Sequence, residues 1–273
     1  MYIYKQTALL LLVVFFALPA SVYAEPTVDE IVHRSNMTTY YQGQDGRAQV
    51  KMSITDNQGR ERKRRLTILR IDDAKSDVVE GAVYQGGQKF YVYFHRPADV
   101  SKMAFLVWKH LEQDDDRWLY LPALDLVKRI AATDKRTSFV GSDFFYEDVS
   151  GRRLDEDMHE LVETTKSYYV IKNTPKNADA VEFSIYKMFI HKTTFIPVQV
   201  EYFDKAGVKY RIAKALGVKT IQGYPTVTKA AVENLKTGSK TVMEYTKVEY
   251  DVGLDDALFT ERYLRKAPRK QLR

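Results

Sequence analysis

Phe90-Tyr91-Val92-Tyr93-Phe94, Met103-Ala104-Phe105-Leu106-Val107-Trp108 and Arg117-Trp118-Leu119-Tyr120-Leu121 are three strand-like runs that are apolar on both faces. An antiparallel strand with one wet side alternates apolar with polar residues. Here Phe90, Val92 and Phe94 face one way and Tyr91 and Tyr93 the other, while Met103, Phe105 and Val107 are backed by Ala104, Leu106 and Trp108. Something apolar must cover each face. The chain offers few helices for that task, so one face is expected to line a cavity. Its candidate wall is Phe90, Val92, Phe94, Met103, Phe105, Val107, Trp118 and Tyr120.

Working outward from these runs, the pattern stays strand-rich. Upstream, Thr27-Val28-Asp29-Glu30 is a capping box that opens one helix over about residues 27 to 40. Ala48, Val50, Met52 and Ile54 then alternate with polar residues, and Asp56-Asn57-Gln58-Gly59 turns the chain into a second strand running to Ile71. Downstream, Leu126 to Ala131 reads as a short strand, and an acidic, aromatic linker after Gly141 is placed as a short helix over the sheet. Strand patterns resume at 167–173, 180–190, 196–203, 208–216, 225–234 and 241–250, with hairpin turns at Asp204–Gly207 and Lys236–Ser239. Asp255 caps a last helical turn carrying Leu258, Phe259, Tyr263 and Leu264. No repeat or low-complexity linker divides the chain, so residues 25–273 are expected to be one domain. About eleven or twelve consecutive strands make a strongly twisted sheet that curls and acquires a concave face. The expected fold class is mainly β with few helices, a curved antiparallel sheet forming an unclosed half-barrel with a helical lid.

The first residues address the compartment. Lys5, the apolar stretch Ala8–Leu18, Pro19 and the small-residue step Val22-Tyr23-Ala24 read as a cleaved signal peptide over residues 1–24. The apolar core is shorter than the roughly 20 residues that a membrane-spanning helix needs. Export to the periplasm as a soluble chain is therefore expected. There is no cysteine, so neither a lipidated N-terminus nor a disulfide framework is available. The hydrophobic core must hold the domain, and 45% hydrophobic residues with 19 tyrosines supply enough material for one.

Losing the leader removes one lysine and no acid, which leaves 41 basic against 36 acidic residues. The excess gathers at Arg60, Arg62, Lys63, Arg64 and Arg65 and again at Arg262, Arg265, Lys266, Arg269, Lys270 and Arg273. Export argues against nucleic acid as partner. Anionic head groups or an acidic partner suit such clusters, with Arg62, Arg64 and Arg65 as the leading candidates for transient contact with a membrane surface, at about 1 kcal/mol per basic residue. A solvated strand edge and a frayed tail explain the same clusters equally well.

Catalytic signatures are missing. Phe144 stands where a Gly-x-Ser-x-Gly elbow around Ser142 would need glycine. The five histidines are scattered singly, without metal-ligand spacing. No catalytic residue, metal or cofactor is assigned. Binding is the stronger reading: at about 0.8 kcal/mol per buried CH₂, acyl chains in a preformed cleft outweigh what a few head-group charges offer.

The block Arg117-Trp118-Leu119-Tyr120-Leu121-Pro122-Ala123-Leu124, then Val127–Ile130 with Arg129, then Ser138-Phe139-Val140-Gly141-Ser142-Asp143-Phe144-Phe145-Tyr146-Glu147-Asp148, resembles the signature of the outer-membrane lipoprotein-sorting protein family. That family is a branch of the periplasmic lipoprotein-carrier (LolA/LolB-like) superfamily. The resemblance implies an unclosed β-barrel with a helical lid, whose apolar hollow carries lipoprotein acyl chains or lipid across the periplasm in outer-membrane biogenesis. It also implies an inner-membrane permease of the resistance-nodulation-division class as partner, and a lid-latching role for Arg96 in Arg96-Pro97. The motif residues Trp118, Tyr120, Pro122, Arg129, Phe139, Gly141, Ser142, Phe144, Tyr146 and Asp148 serve either the site or a structural clamp over the sheet. The leading expectation is a soluble, monomeric carrier. The alternative is an accessory transporter subunit with a filled core, and a lipid hydrolase stands third.

Overall fold

The computed structural model describes residues 25–73 and 86–273, so the leader assignment to residues 1–24 lies outside the described residues. Helix α1 (Val28–Tyr40) starts with the expected capping box: the Thr27 hydroxyl accepts from the Glu30 N–H, and the Glu30 carboxylate accepts from the Thr27 N–H. Strands β1 (Asp45–Thr55) and β2 (Glu61–Asp72) follow as a hairpin. Its turn is shaped by the Asp56 carboxylate, which accepts from the N–H groups of Gln58 and Arg60, and by Gly59 at φ 78°. Strands β3 (Gln88–Arg96), β4 (Ala104–Lys109), β5 (Asp116–Leu121) and β6 (Leu126–Arg129) continue the meander.

A connection without strands then carries the short helix α2 (Glu147–Ser150). Beyond it the chain forms β7 (Asp157–Thr164), β8 (Tyr168–Pro175), β9 (Phe183–His191), β10 (Pro197–Asp204), β11 (Lys209–Ile221), β12 (Tyr224–Asn234) and β13 (Ser239–Tyr250). Helix α3 (Glu261–Arg265) lies in the last segment. Among the described residues the thirteen strands form one antiparallel sheet in the order β6-β5-β4-β3-β2-β1-β13-β12-β11-β10-β9-β8-β7. The sequence count of eleven or twelve missed β7. That edge strand leaves Met158 and Val162 exposed, so its apolar alternation points at water and imitates a loop.

The sheet does not close, because its edges β6 and β7 never pair. Curvature is evident from α1, which touches β7, β8 and β12 although β12 stands five places from β7 in the sheet. Only a concave face lets one short helix reach both.

The chain itself covers both apolar faces of β3, β4 and β5, apart from Phe90 and Val92 at the edge of an opening on the concave side. On the convex face Leu69, Tyr91, Leu106 and Trp118 lie side by side across β2 to β5 and pack under Leu258, Phe259, Leu264 and Leu272 of the C-terminal segment. Polar tips of this face hold that segment by its backbone: the Tyr91 hydroxyl donates to the Tyr263 carbonyl at 2.8 Å and the Trp108 indole to Phe259 at 2.7 Å. The basic C-terminus is therefore a docked strap and not a frayed tail. On the concave face Phe94 and Phe105 pack against Phe139 and Tyr146 from the connection between β6 and β7, with ring centroids 5.2 to 5.8 Å apart. This connection works as an internal plug.

Candidate functional site

A half-open hollow of about 370 Å³ remains on the concave side, under α1 and beside the plug. Its walls come from β1, β2 and β3 on one side and β10 to β13 on the other. The reason for the space is side-chain size. Ala48, Ala213, Ala215 and Ala230 line it, small side chains where the neighbouring core carries phenylalanine and tyrosine. Close packing normally leaves few voids larger than a water molecule. The volume lies within the range of roughly 300 to 1,000 Å³ typical of small-molecule pockets.

The lining is mostly apolar, and the ionisable groups along it are neutral or paired. Burial pushes the Tyr245 phenol up to about 12 and raises that of Tyr40 as well. Asp148 is tied to Arg211. A hydrocarbon chain placed here would lose water without stranding a charge.

Two elements roof the hollow, and each is latched by arginines. Arg70 reaches inward from β2 and donates to the carbonyls of Tyr40, Gln42 and Gly43 at 2.6 to 2.9 Å, which satisfies an orphan carbonyl at the end of α1 and holds the turn after it. Arg64 donates to Val140 O and Arg62 to Gly141 O (3.3 Å), gripping the plug at its sharp Val140-Gly141 bend, where φ is 50° and 72°. Arg211 binds Asp148 from the opposite wall. Deeper in the plug, Glu147 is 2% exposed and meets Arg136 at 2.5 Å and Lys135 at 3.4 Å. Burial alone would push its carboxyl up, but Arg136, Lys135 and Arg152 together hold it below the usual carboxylate range. The plug and α1 meet where the Tyr40 ring rests on Gly151, whose Cβ, if present, would fall 2.5 Å from that ring. Lys109 closes the junction, donating to Ser150 O at 2.8 Å with its ammonium 4.9 Å from the Tyr40 ring centre.

Of the eight residues expected to line the cavity, Phe90 and Val92 do so. Phe94, Met103, Phe105 and Val107 share their face but are covered by the plug. Trp118 and Tyr120 are on the opposite, convex face beneath the C-terminal strap, so they are not part of the hollow. Strand alternation placed them there, because Trp118 stands opposite Leu106 and not Phe105. Arg96 is exposed at the end of β3 opposite Arg65, and the lid is held instead by Arg62, Arg64, Arg70 and Arg211. Of the proposed head-group arginines, Arg62 and Arg65 are exposed, while Arg64 is 6% exposed and turned inward to the plug.

The motif residues divide by position. Phe139, Phe144 and Asp148 border the hollow, Tyr146 fills the core, Gly141 forms the gripped bend, Pro122 opens a short turn after β5, and Arg129 pairs with Asp116. Ser142 is buried, and its hydroxyl donates to the Phe139 carbonyl at 2.8 Å, so its proton is engaged with the backbone and not with a base. The lining alanines were missed, and their signal was the small-residue spacing of Ala213 and Ala215 against Ala230 in facing strands.

A family model described as "Uncharacterized protein" matches residues 86–266, more than half of the chain. A DUF1329 family protein from Desulfovibrio piger is 31% identical in sequence, with a TM-score of 0.75 over 86% of this chain and 96% of its own. A putative outer membrane lipoprotein-sorting protein domain from Vibrio parahaemolyticus is 26% identical, with a TM-score of 0.74 over 86% of this chain and 97% of its own. A LolA superfamily protein from Nitrosomonas europaea, 18% identical, shares the fold with a TM-score of 0.64 over 88% and 100% of the two chains. No curated protein matches the sequence.

Proposed function

The chain belongs to the DUF1329 family within the LolA-like lipoprotein-sorting branch, and from that premise we propose that it is a periplasmic carrier that shields an acyl chain of a lipoprotein or lipid in its hollow. The observation that carries this reading is the half-open apolar space of about 370 Å³ left by alanines in an otherwise aromatic interior. Binding is driven by burial of hydrocarbon, at about 0.8 kcal/mol per CH₂, and the protein itself contributes shape and dryness without covalent chemistry. Among the described residues no helix is long and apolar enough to cross a membrane, which suits a carrier that moves between surfaces.

The test is native mass spectrometry of the full chain purified from cell envelopes, beside an Ala213→Trp variant that places an indole in the hollow. The carrier reading expects an acylated adduct on the wild type and its loss from the variant, with both folded by circular dichroism. A wild type that is always empty, or a variant that keeps the adduct, refutes it. The partner we assign is an inner-membrane exporter of the resistance-nodulation-division class, to be sought by cross-linking in envelopes; recovery of no such permease removes that assignment.

A further inference from the structure

The wall of the hollow contains a break in the sheet. Strand β12 registers with β13 only from Lys229–Asn234 against Ser239–Glu244. Below that level Tyr224–Val227 pair only with β11, and Tyr245 and Lys247–Tyr250 pair only with β1. The unpaired stretch is six residues of β13, or roughly 20 Å of strand. On its other side β11 pairs with β10 only through Lys214, so from Ala215 to Thr228 the hairpin has ladder partners only within itself.

Three local features produce the split. Thr246 has no opposite residue, since Gln49 faces Lys247 and Val50 faces Tyr245, and such a bulge bends β13. Leu216 and Thr228 are unopposed in the same way, which bends the hairpin at the level where the ladder stops. Pro225 brings no N–H to the seam.

The hollow reaches this seam, being bordered by Pro225, Thr226 and Val227 on one side and by Val248 and Tyr250 on the other. Side chains close it where backbone bonds do not. The Gln222 amide donates to Tyr250 O at 3.0 Å and accepts from the Tyr250 N–H at 2.8 Å, which imitates one ladder pair. Gln42, just past α1, donates to Pro225 O at 2.8 Å and accepts from the Tyr250 hydroxyl, which also meets Thr226 Oγ1 at 2.8 Å. These bonds can open by rotamer changes, whereas the arginine-latched plug requires breaking buried ion pairs.

We propose that the seam between β12 and β13 is the port through which a single acyl chain enters and leaves the hollow, with Gln42, Gln222 and Tyr250 as its gate. The proposal rests on the carrier reading above. Because the chain has no cysteine, Gln222→Cys and Tyr250→Cys can be joined by a reducible bis-maleimide without side reactions. Stopped-flow exchange of the fluorescent fatty acid cis-parinaric acid is then followed. The port predicts exchange at least 10-fold slower when cross-linked, restored by reductant, and at least 3-fold faster in the Gln42→Ala, Gln222→Ala double variant. Exchange at unchanged rates in the cross-linked protein and in the double variant overturns the port while leaving the carrier intact. Failure of the unmodified protein to bind the probe defeats the carrier reading, and the port with it.

Discussion

The two walls of this one sheet are built from opposite materials. The wall of β3 to β5 carries large apolar side chains on both faces and is covered over most of both, by Phe139 and Tyr146 inside and by the C-terminal strap outside. The wall of β11 to β13 is leaner: alanines face inward, the backbone ladder lapses, and the hollow lies against it. An oily surface thus marks where the protein filled itself. The vacancy is marked by a shortage of bulk.

Three measurements sharpen or break this contrast. The largest effect is expected for Phe105→Ala, which removes a fully buried ring packed edge-on against Phe139 and tilted against Tyr146; denaturant unfolding should show a loss of about 3–5 kcal/mol. A loss below about 1 kcal/mol would mean that the plug is a loose occupant and the sealed wall is itself accessible. Next comes a matched pair of insertions. Ala104→Trp forces a ring into the filled convex core and should cost about 2–3 kcal/mol, whereas Ala213→Trp enters existing space and should cost about 1 kcal/mol or less. Equal costs would erase the difference between the walls.

The smallest effect is electrostatic and concerns the seal where the plug meets α1. Burial lowers the Lys109 ammonium to about 8, with Asp115 and Asp72 partly opposing the shift. Since the folded pKa is below the unfolded value near 10.4, the unfolded chain binds more protons between these limits and stability rises with pH across them. Relative to Lys109→Met, the wild type should gain about 1.5 kcal/mol between pH 8 and 9.5, a little under the limiting 1.36 kcal/mol per unit. A flat difference would place Lys109 in water and the junction open.

Much of the architecture was legible. The capping box of α1, the Asp56–Gly59 turn and the strands from β8 to β13 stand close to where alternation and turn residues put them. The doubled apolar pattern of β3 to β5 correctly required cover on both faces. It did not say what the cover was, because Phe139 and Leu264 carry no mark of which strand they will pack against. Edge strand β7 escaped because its outer face is wet and its partner lies on one side only. The candidate site was the least legible part. Of the eight residues expected to line a cavity, Phe90 and Val92 border the hollow, and the alanines were not singled out because an alanine signals nothing until its neighbours' distances are known.

Local chemistry along the chain determined the element types, the turns, the two-sided wall and the family signature, all of which depend on residues near one another in sequence. Tertiary structure alone decided that the oily runs are plugged, that Arg64 and Arg70 point inward as latches, and that the hollow falls between β1–β3 and β10–β13 with its seam between β12 and β13. Those outcomes depend on which surfaces segments far apart in the chain bring together, and on how much volume is left when they have met.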